Sequence, residues 1–422
     1  MPARRRIKWT LFATQSVGSA GFLISSTVTP IVGAALSGRP SWAGVPAFFY
    51  WSGGAACAYL WGRSMDRIGR RPTITLGLLL GMVGAAVAVL AIRAGTFWGF
   101  TVGLVMMGGA NTAVQLGRFV AAEVHPAAER GRAIATVVMG GTVGGILGPL
   151  LVAPAARGAL ERGLPELLGP YVASLGFFAL GALVVGAMLR PEPRELALAR
   201  EPEEGSPTGE WEGARPLGVI LRDRWVQVAM LSMVIAQGVM SMLMVISSLH
   251  MKDHRHSLGA ISAVMSSHVI GMYGFSIVTG RLADSWGRAR LIAAGGALML
   301  LAGLGAAQSV AFVPMAAVLL LLGLGWNLCY VGGSTLLSDR LGQRERARVQ
   351  GLNDSLLTTA SALGSLFSGV VFAAVGYPTM GGAAAVVALI PLTLGWRFRR
   401  RTTGTAAGAV ATAPGRGAVS ER

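Results

Sequence analysis

Charged side chains and cysteines are both scarce in this chain of 422 residues. Asp, Glu, Lys and Arg make up 13% of the residues, whereas soluble domains carry roughly 25%. The two cysteines, Cys57 and Cys329, lie far apart in sequence and each falls in an apolar run. We therefore expect them to be packing residues rather than a disulfide, and we do not expect an ordinary soluble domain.

Acidic residues are few compared with basic ones, and the formal net charge is +17. Such a balance can indicate nucleic-acid binding. Here, however, the basic residues cluster in short loops between apolar runs, and no soluble basic domain is present to hold a polyanion. Placing the N-terminus in the cytoplasm leaves only six of the 36 Lys and Arg residues outside cytoplasmic segments: Arg39, Arg93, Arg157, Arg162, Lys252 and Arg255. The positive-inside rule then predicts that both termini are in the cytoplasm. We expect a bacterial inner (plasma) membrane protein with no nucleic-acid partner.

Long apolar runs fill the rest of the chain. Hydrophobic residues make up 53% and the mean hydropathy is +0.59, and windows of about 20 apolar residues recur, each long enough to cross a bilayer. We predict an all-α membrane protein with twelve transmembrane helices, here numbered spans 1 to 12. They form two pseudo-symmetric six-helix halves, residues 1–189 and 226–401. A Pro- and Glu-rich cytoplasmic linker, residues 190–225, joins the halves, and a disordered tail, residues 402–422, follows them.

A basic loop motif occurs once in each half, between spans 2 and 3 and between spans 8 and 9. Its residues are Gly62, Asp66, Arg67, Gly69, Arg70 and Arg71 in the first copy and Gly280, Asp284, Gly287 and Arg288 in the second. The first glycine of each copy would let two helices approach closely, and the second would permit the turn. The aspartate would face a helix N-terminus or an arginine. Glu123 and Asp339 also occupy matching positions in the two halves, which indicates a duplicated six-helix unit.

This repeated loop resembles the signature loop of the major facilitator superfamily. The resemblance implies the twelve-helix fold of that superfamily, with a solute bound between two halves that rock alternately. It also implies that the loop latches the halves together in one conformation, a role that we carry over to the loop residues named above.

Carboxylates are absent from the middles of spans 1 to 6. The polar groups there are Gln15, Asn111 and Gln115, which would bind a ligand or join helices by hydrogen bonds. Near the cytoplasmic end of span 4, Arg118 is expected to pair with a carboxylate such as Glu123. In span 11, Asp354 is the buried acid that we consider for proton coupling.

Methionine and histidine are concentrated in spans 7 and 8. Eight of the 18 methionines fall in this region: Met230, Met233, Met240, Met242, Met244, Met251, Met265 and Met272. Four of the five histidines accompany them: His250, His254, His256 and His268. A single methionine is adequately explained by packing, but thioether and imidazole together are the ligand set that selects Cu(I).

Two short patterns give this cluster a narrower resemblance. Met240-x-x-x-Met244 in span 7 and His268-x-x-x-Met272 in span 8 resemble the metal-binding signature of the bacterial copper-uptake branch, which supplies cbb3-type cytochrome oxidase. The resemblance implies a copper importer with these four residues as ligands. Secondary ligands would be Met233, Met251, His250, His254 and His256. The last four would lie at the periplasmic mouth, and the four primary ligands would continue from there as a descending series of soft ligands.

The sequence is also compatible with two alternatives to a copper importer. An organic-solute transporter of the same superfamily, for riboflavin-like uptake or drug efflux, would favour aromatic walls, for which Trp51, Tyr59, Trp326 and Tyr330 are candidates. A non-transporting membrane metal sensor would need a soluble signalling domain, and none is visible. We predict no enzymatic activity and no cofactor. The expected partners are the lipid bilayer and a small solute or metal ion, and the chain is expected to be a monomer.

Overall fold

The chain folds into long helices joined by short turns, as its apolar runs predict. The computed structural model describes residues 2–198, 215–308 and 310–399. Within these residues, nine helices are long and apolar enough to cross a membrane, or ten if a bent pair counts as one span. The all-α prediction is therefore confirmed.

The first half contains six spans. Span 1 is broken and consists of Pro2–Ser26 and Thr29–Ser37. Spans 2, 3 and 4 are Val45–Ile68, Arg70–Ala94 and Phe97–Glu123. Span 5 is Ala127–Leu150 with a continuation at Val152–Leu160, and span 6 is Gly169–Met188.

The second half repeats this order. Spans 7, 9 and 10 are Arg224–Asp253, Arg288–Ala306 and Phe312–Arg340. Span 8 consists of Leu258–Val269, a π-helical turn at Ile270–Gly274, and Ser276–Trp286, with a bend of 42°. Spans 11 and 12 lie in one stretch, Gln343–Arg399, which breaks at Gly376, where φ is +74°. Helices therefore occupy the positions of all twelve predicted spans. The number rises from ten to twelve when Val45–Ile68 is included and the two parts of Gln343–Arg399 are counted separately.

The two loop motifs lie at the same end of the helix bundle, because an even number of spans separates them. We call this end the basic end and the opposite one the distal end. Corresponding ion pairs stabilise the two motifs: Arg70 Nε lies 2.9 Å from Glu123 Oε2, and Arg288 Nε lies 3.0 Å from Asp339 Oδ2. This equivalence agrees with the duplication inferred from the sequence.

The two halves contact each other closely at the distal end. Gly44, at the start of span 2, packs directly against the carbonyl of Ser365 in span 11, and a Cβ at this position would collide with that carbonyl. Lys252 Nζ lies 3.6 Å from Glu166 Oε2 across the same boundary. The distal end is therefore closed in this conformation.

The predicted linker is partly helical where it is described. Pro193–Leu198 and Leu217–Arg222 form short helices at its two ends. Residues 199–214 and the predicted tail, 402–422, lie outside the described residues.

Each described end of the linker is attached to a loop at the basic end. The Glu192 carboxylate accepts hydrogen bonds from the backbone N–H groups of Arg70, at 2.6 Å, and Arg71, at 3.3 Å. These donors belong to the first turn of span 3, where a carboxylate is favoured. Glu192 therefore caps the helix that follows the first loop motif.

Arg215 makes the corresponding attachment in the second half. Its guanidinium donates hydrogen bonds to both Glu345 oxygens at 2.8 Å. This bidentate contact holds the pKa of Glu345 down, at about 2. The Glu345 carboxylate is therefore ionised at neutral pH and holds the end of the linker against the loop between spans 10 and 11.

Candidate functional site: a central cavity between the halves

A cavity of about 530 Å³ lies between the two halves. Its walls come from spans 1, 2, 4 and 5 of the first half and from the equivalent spans 7, 8, 10 and 11 of the second. This volume lies in the range of pockets for small organic ligands, which is about 300–1,000 Å³.

Three aromatic side chains form the wall contributed by the first half. The rings of Phe22 and Tyr50 stack with centroids 4.4 Å apart, and Trp51 meets both rings edge-on. The Tyr50 hydroxyl is buried without a hydrogen-bond partner in the described part of the chain. This cluster, Phe22, Tyr50 and Trp51, is called the first aromatic wall.

A second group of aromatic rings faces the cavity from the other half. Trp326 stacks on Tyr330 at 4.9 Å and meets Tyr273 edge-on at 6.0 Å. Its indole N–H donates to Gln237 Oε1 at 2.7 Å, and Gln237 donates in turn to the Ser361 hydroxyl at 2.7 Å. These bonds fix the orientation of the Trp326 ring. Tyr273, Trp326 and Tyr330 are called the second aromatic wall.

Of the four aromatic residues that the sequence suggested for the cavity wall, three line the cavity and one does not. Trp51, Trp326 and Tyr330 line the cavity, whereas Tyr59 is 71% exposed and lies outside its lining. Phe22, Tyr50 and Tyr273 also line the cavity and were not predicted. Their positions depend on how the spans rotate against each other, and no local sequence pattern signals that rotation.

The three amides predicted as polar groups of the first half all face the cavity: Gln15, Asn111 and Gln115. Gln15 donates only a local hydrogen bond, to the Ser19 hydroxyl at 3.3 Å. These side chains can therefore offer hydrogen bonds to a bound solute.

Arg118 lies beside a carboxylate, as expected, but that carboxylate is not Glu123. Glu123 accepts two hydrogen bonds from Arg70 instead, at 2.9 and 3.3 Å. Arg118 points into the cavity, where its Nη2 lies 3.6 Å from Asp354 Oδ2 of the other half. Asp354 is also less buried than predicted, because its side chain is 51% exposed.

The four residues predicted to bind copper do not all face the same space. Met240, Met244 and Met272 line the cavity, together with Met265. His268 is outside this lining. It is fully buried, and its Nδ1 lies 2.9 Å from the Leu319 carbonyl in span 10. His268 and Met272 are about one helical turn apart in sequence, but the His268 ring contacts span 10 whereas Met272 lines the cavity.

The secondary ligands are also dispersed. Met233 packs against Gly333, and Met251 is buried away from the cavity lining. The three histidines are at the distal end: His250 stacks on a tyrosine ring, His254 lies beside it, and His256 contacts a backbone carbonyl. Within the described residues no group of three or more His, Cys, Asp or Glu is arranged to hold a metal. The continuous descending series of soft ligands is therefore not formed in this conformation.

The motif aspartates do not reach the opposite half in this conformation. Asp66 is 78% exposed and lies 3.8 Å from Arg70, and Asp284 is 77% exposed and lies 3.4 Å from Arg288. Arg71 binds within its own half, donating to the Gly186 carbonyl at 2.6 Å. The latch role stays a prediction for the alternate conformation.

The motif glycines give one confirmed and one wrong prediction. Gly69 and Gly287 adopt positive φ values of +100° and +91°, as the predicted turns require. Gly62 and Gly280, expected to permit close helix packing, have no atom within 4 Å of a Cβ placed on them. These two positions therefore make no close helix contact in this conformation.

Comparison with known proteins agrees with this architecture. The family model described as Major Facilitator Superfamily matches twice, over residues 11–252 and 229–419; the first match covers the first half and extends into span 7, and the second covers most of the second half. The chain belongs to the Major Facilitator Superfamily. It is therefore a membrane transporter of the facilitator type.

Relatives and solved structures extend this result. The chain is 31% identical to the uncharacterized MFS-type transporter YdeG of Bacillus subtilis (strain 168), over 93% of each chain. It is 29% identical to the riboflavin transporter RfnT of Brucella anthropi, over 93% of this chain and 96% of that one.

Two solved structures share the fold. One is a bacterial homologue of the human lysosomal transporter Spinster, in an inward-facing and unoccupied conformation. Its TM-score is 0.69 at 18% identity, covering 95% of this chain and 98% of that one. The other is the nucleoside transporter NupG, with a TM-score of 0.68 at 13% identity, covering 94% and 98%.

Proposed function

We propose that this facilitator transports a planar aromatic organic solute, held between the first and second aromatic walls. The observation that carries the proposal is the placement of these two walls on opposite halves around one cavity of about 530 Å³. A flat ring system inserted between them would contact both halves at once. Solute binding would then be linked directly to the movement of one half against the other.

Aromatic contacts of this kind contribute to the free energy of solute binding. Stacking of a planar ring on an aromatic side chain contributes about 1–3 kcal/mol, and each wall supplies aromatic side chains to the cavity lining. Gln15, Asn111 and Gln115 add hydrogen-bond donors and acceptors around the same space. A solute with a flat ring and polar edges, such as a flavin, matches both features, and the likeness to a riboflavin transporter supports this class.

The positive-inside rule supplies the orientation of the proposed transporter. The basic end carries both arginine-rich loops, so we place it in the cytoplasm of a bacterial cell. With the distal end closed by contacts such as Gly44 against Ser365, the structure then corresponds to a state in which the cavity communicates with the cytoplasm.

Copper import remains a second candidate because of two observations. Four methionine sulfurs belong to cavity-lining residues, and the buried His268 Nε2 has no hydrogen-bond partner among the described residues. Met240 and Met244 are separated from His268, however, since that ring faces span 10. A copper site would therefore require span 8 to rotate, whereas the aromatic walls are already in place.

The Trp326→Leu variant tests the proposed function. It removes the central ring of the second wall, so we expect riboflavin to bind about tenfold more weakly, in line with the loss of one stacking contact. The measurement is a titration of purified protein in lipid nanodiscs, followed by quenching of flavin fluorescence.

Tyr59→Leu is the matched control. It also replaces an aromatic residue of the sequence-predicted set by leucine, but Tyr59 lies outside the cavity lining. Its riboflavin affinity should equal that of the unmodified protein. Equal losses in both variants, or no loss at Trp326→Leu, would contradict the assignment of the walls as the binding site.

A further inference from the structure

Arg118 and Asp354 are the charged residues among those that line the cavity. Arg118 comes from span 4 and Asp354 from span 11, so the pair joins the two halves near the basic end of the cavity. Their side chains are 32% and 51% exposed. A solute that enters the cavity therefore meets both groups, and water reaches them as well.

The contact between these two groups is looser than the two bidentate arginine–carboxylate pairs, Arg70–Glu123 and Arg215–Glu345. Arg70 and Arg215 each donate two hydrogen bonds to a carboxylate, at distances from 2.8 to 3.3 Å. Arg118 Nη2 is 3.6 Å from Asp354 Oδ2, beyond hydrogen-bonding distance. The Arg118 Nε is buried and has no partner in the described part of the chain.

An arginine with unused donors in a ligand cavity is suited to bind an anion. The guanidinium carries five N–H donors in a planar fork that matches a carboxylate or phosphate group. Asp354 occupies this fork only loosely, so an anionic group of a solute can replace it with shorter, bidentate bonds. No covalent bond changes in this exchange.

We propose that Arg118 is an anion-binding subsite of the transport cavity, and that an anionic group on the solute displaces Asp354, which then takes up a proton. This inference rests on the proposed function and narrows its solute class to planar aromatic anions. The proton comes from the bulk solution and is held on the Asp354 carboxyl, so the cavity gains one solute anion and one proton together. Displacement also removes the ion pair that joins the halves, which frees them to move.

The surroundings of Asp354 are compatible with this proton uptake. The titratable groups that face it within the described residues are Arg118 on span 4 and Tyr330 on span 10. Once Arg118 is engaged by the solute, the remaining neighbour is a phenol, which is neutral. A carboxylate that loses its cationic partner in a partly enclosed cavity favours its protonated form.

A pair of flavins of equal size tests the subsite. The probes are 10-carboxymethylflavin and the corresponding amide, which share one ring system and differ in charge, and riboflavin serves as the neutral reference. In nanodiscs we expect the carboxylate to bind about tenfold more tightly than the amide, the value of one charge-assisted hydrogen-bond pair. Arg118→Gln should bring this ratio close to one, whereas Arg93→Gln, which removes an exposed arginine outside the cavity, should leave it unchanged.

The Asp354→Asn variant distinguishes displacement of Asp354 by the solute from a purely structural role of the Arg118–Asp354 ion pair. Removing the internal competitor should increase affinity for the carboxylate flavin, whereas loss of a structural pair would lower it. In weakly buffered solution, binding of the carboxylate flavin should take up about one proton per molecule bound in the unmodified protein and none in Asp354→Asn.

Each outcome has a definite meaning. Riboflavin binding with equal affinities for the acid and the amide, or a ratio that survives Arg118→Gln, would overturn the subsite and leave the proposed function intact. Lower carboxylate affinity in Asp354→Asn, or proton uptake that persists there, would overturn the displacement step. Failure of all three flavins to bind would overturn the proposed function and the subsite together.

Discussion

Gly44→Leu is expected to abolish transport while the protein still reaches the membrane. Gly44 packs directly against the Ser365 carbonyl, where span 2 meets span 11 at the closed distal end. A leucine side chain there would prevent the halves from closing. Overpacking of this kind costs about 1–3 kcal/mol, enough to shift a two-state equilibrium about 5- to 150-fold toward the conformation that is open at the distal end.

Thiol labelling from the distal side measures this shift. Ser248 lines the cavity and is buried in the closed conformation, so Ser248→Cys in a background without Cys57 and Cys329 reports on opening. An impermeant reagent should label it slowly in the parent protein and rapidly after Gly44→Leu. Gly176→Leu is the control, because a Cβ at Gly176 meets no atom within 4 Å. Slow labelling in the Gly44 variant would show that this contact does not control closure.

Arg70→Gln is expected to destabilise the first half and to reduce transport strongly. Arg70 donates two hydrogen bonds to Glu123 and one to the Met65 carbonyl, and its side chain is only 14% exposed. Loss of a charge-assisted pair of this kind costs about 1.5–3 kcal/mol, reduced here because Glu123 remains partly hydrated. The midpoint of thermal unfolding in nanodiscs should fall accordingly.

The internal repeat provides a matched comparison for this variant. Arg288 makes the equivalent contact with Asp339, but its side chain is 30% exposed and that of Asp339 is 50% exposed. Arg288→Gln should therefore lower the unfolding midpoint less than Arg70→Gln. A larger effect at Arg288 would show that solvent exposure does not determine the strength of these pairs.

The sequence predicted the twelve spans, because each span is a local property of composition and length. It also predicted the turns at Gly69 and Gly287, where a positive φ is needed. The break of span 8 at Ile270–Gly274 was not predicted, since a π-helical turn is stabilised by its packing environment and has no simple sequence signal. His268 contacts span 10 whereas Met272 lines the cavity, and their i, i+4 spacing did not predict this difference.

The internal repeat contained a signal against pairing Arg118 with Glu123. The repeat aligns Glu123 with Asp339 and the loop arginine Arg70 with Arg288, so two equivalent carboxylates face two equivalent arginines. Proximity in sequence favoured Arg118 with Glu123 instead. Its actual neighbour, Asp354, lies in the other half, and local sequence does not indicate which residues meet across that boundary.

The aromatic walls illustrate the same limit for the candidate site. Trp51, Trp326 and Tyr330 were considered from the sequence because aromatic side chains suit an aromatic solute. Tyr59 satisfied the same criterion and lies outside the cavity lining. Which aromatic residues face the cavity depends on the rotation of each span, and that rotation is set by contacts among all of the helices.

Binding of riboflavin in competition with Cu(I) tests the central claim most directly. Purified protein in nanodiscs would be dialysed against riboflavin with and without Cu(I), with the free Cu(I) concentration fixed by a chelator. An aromatic cavity predicts saturable riboflavin binding whose affinity is unchanged by Cu(I). Saturable Cu(I) binding with no saturable binding of riboflavin would contradict the account and favour copper as the transported species.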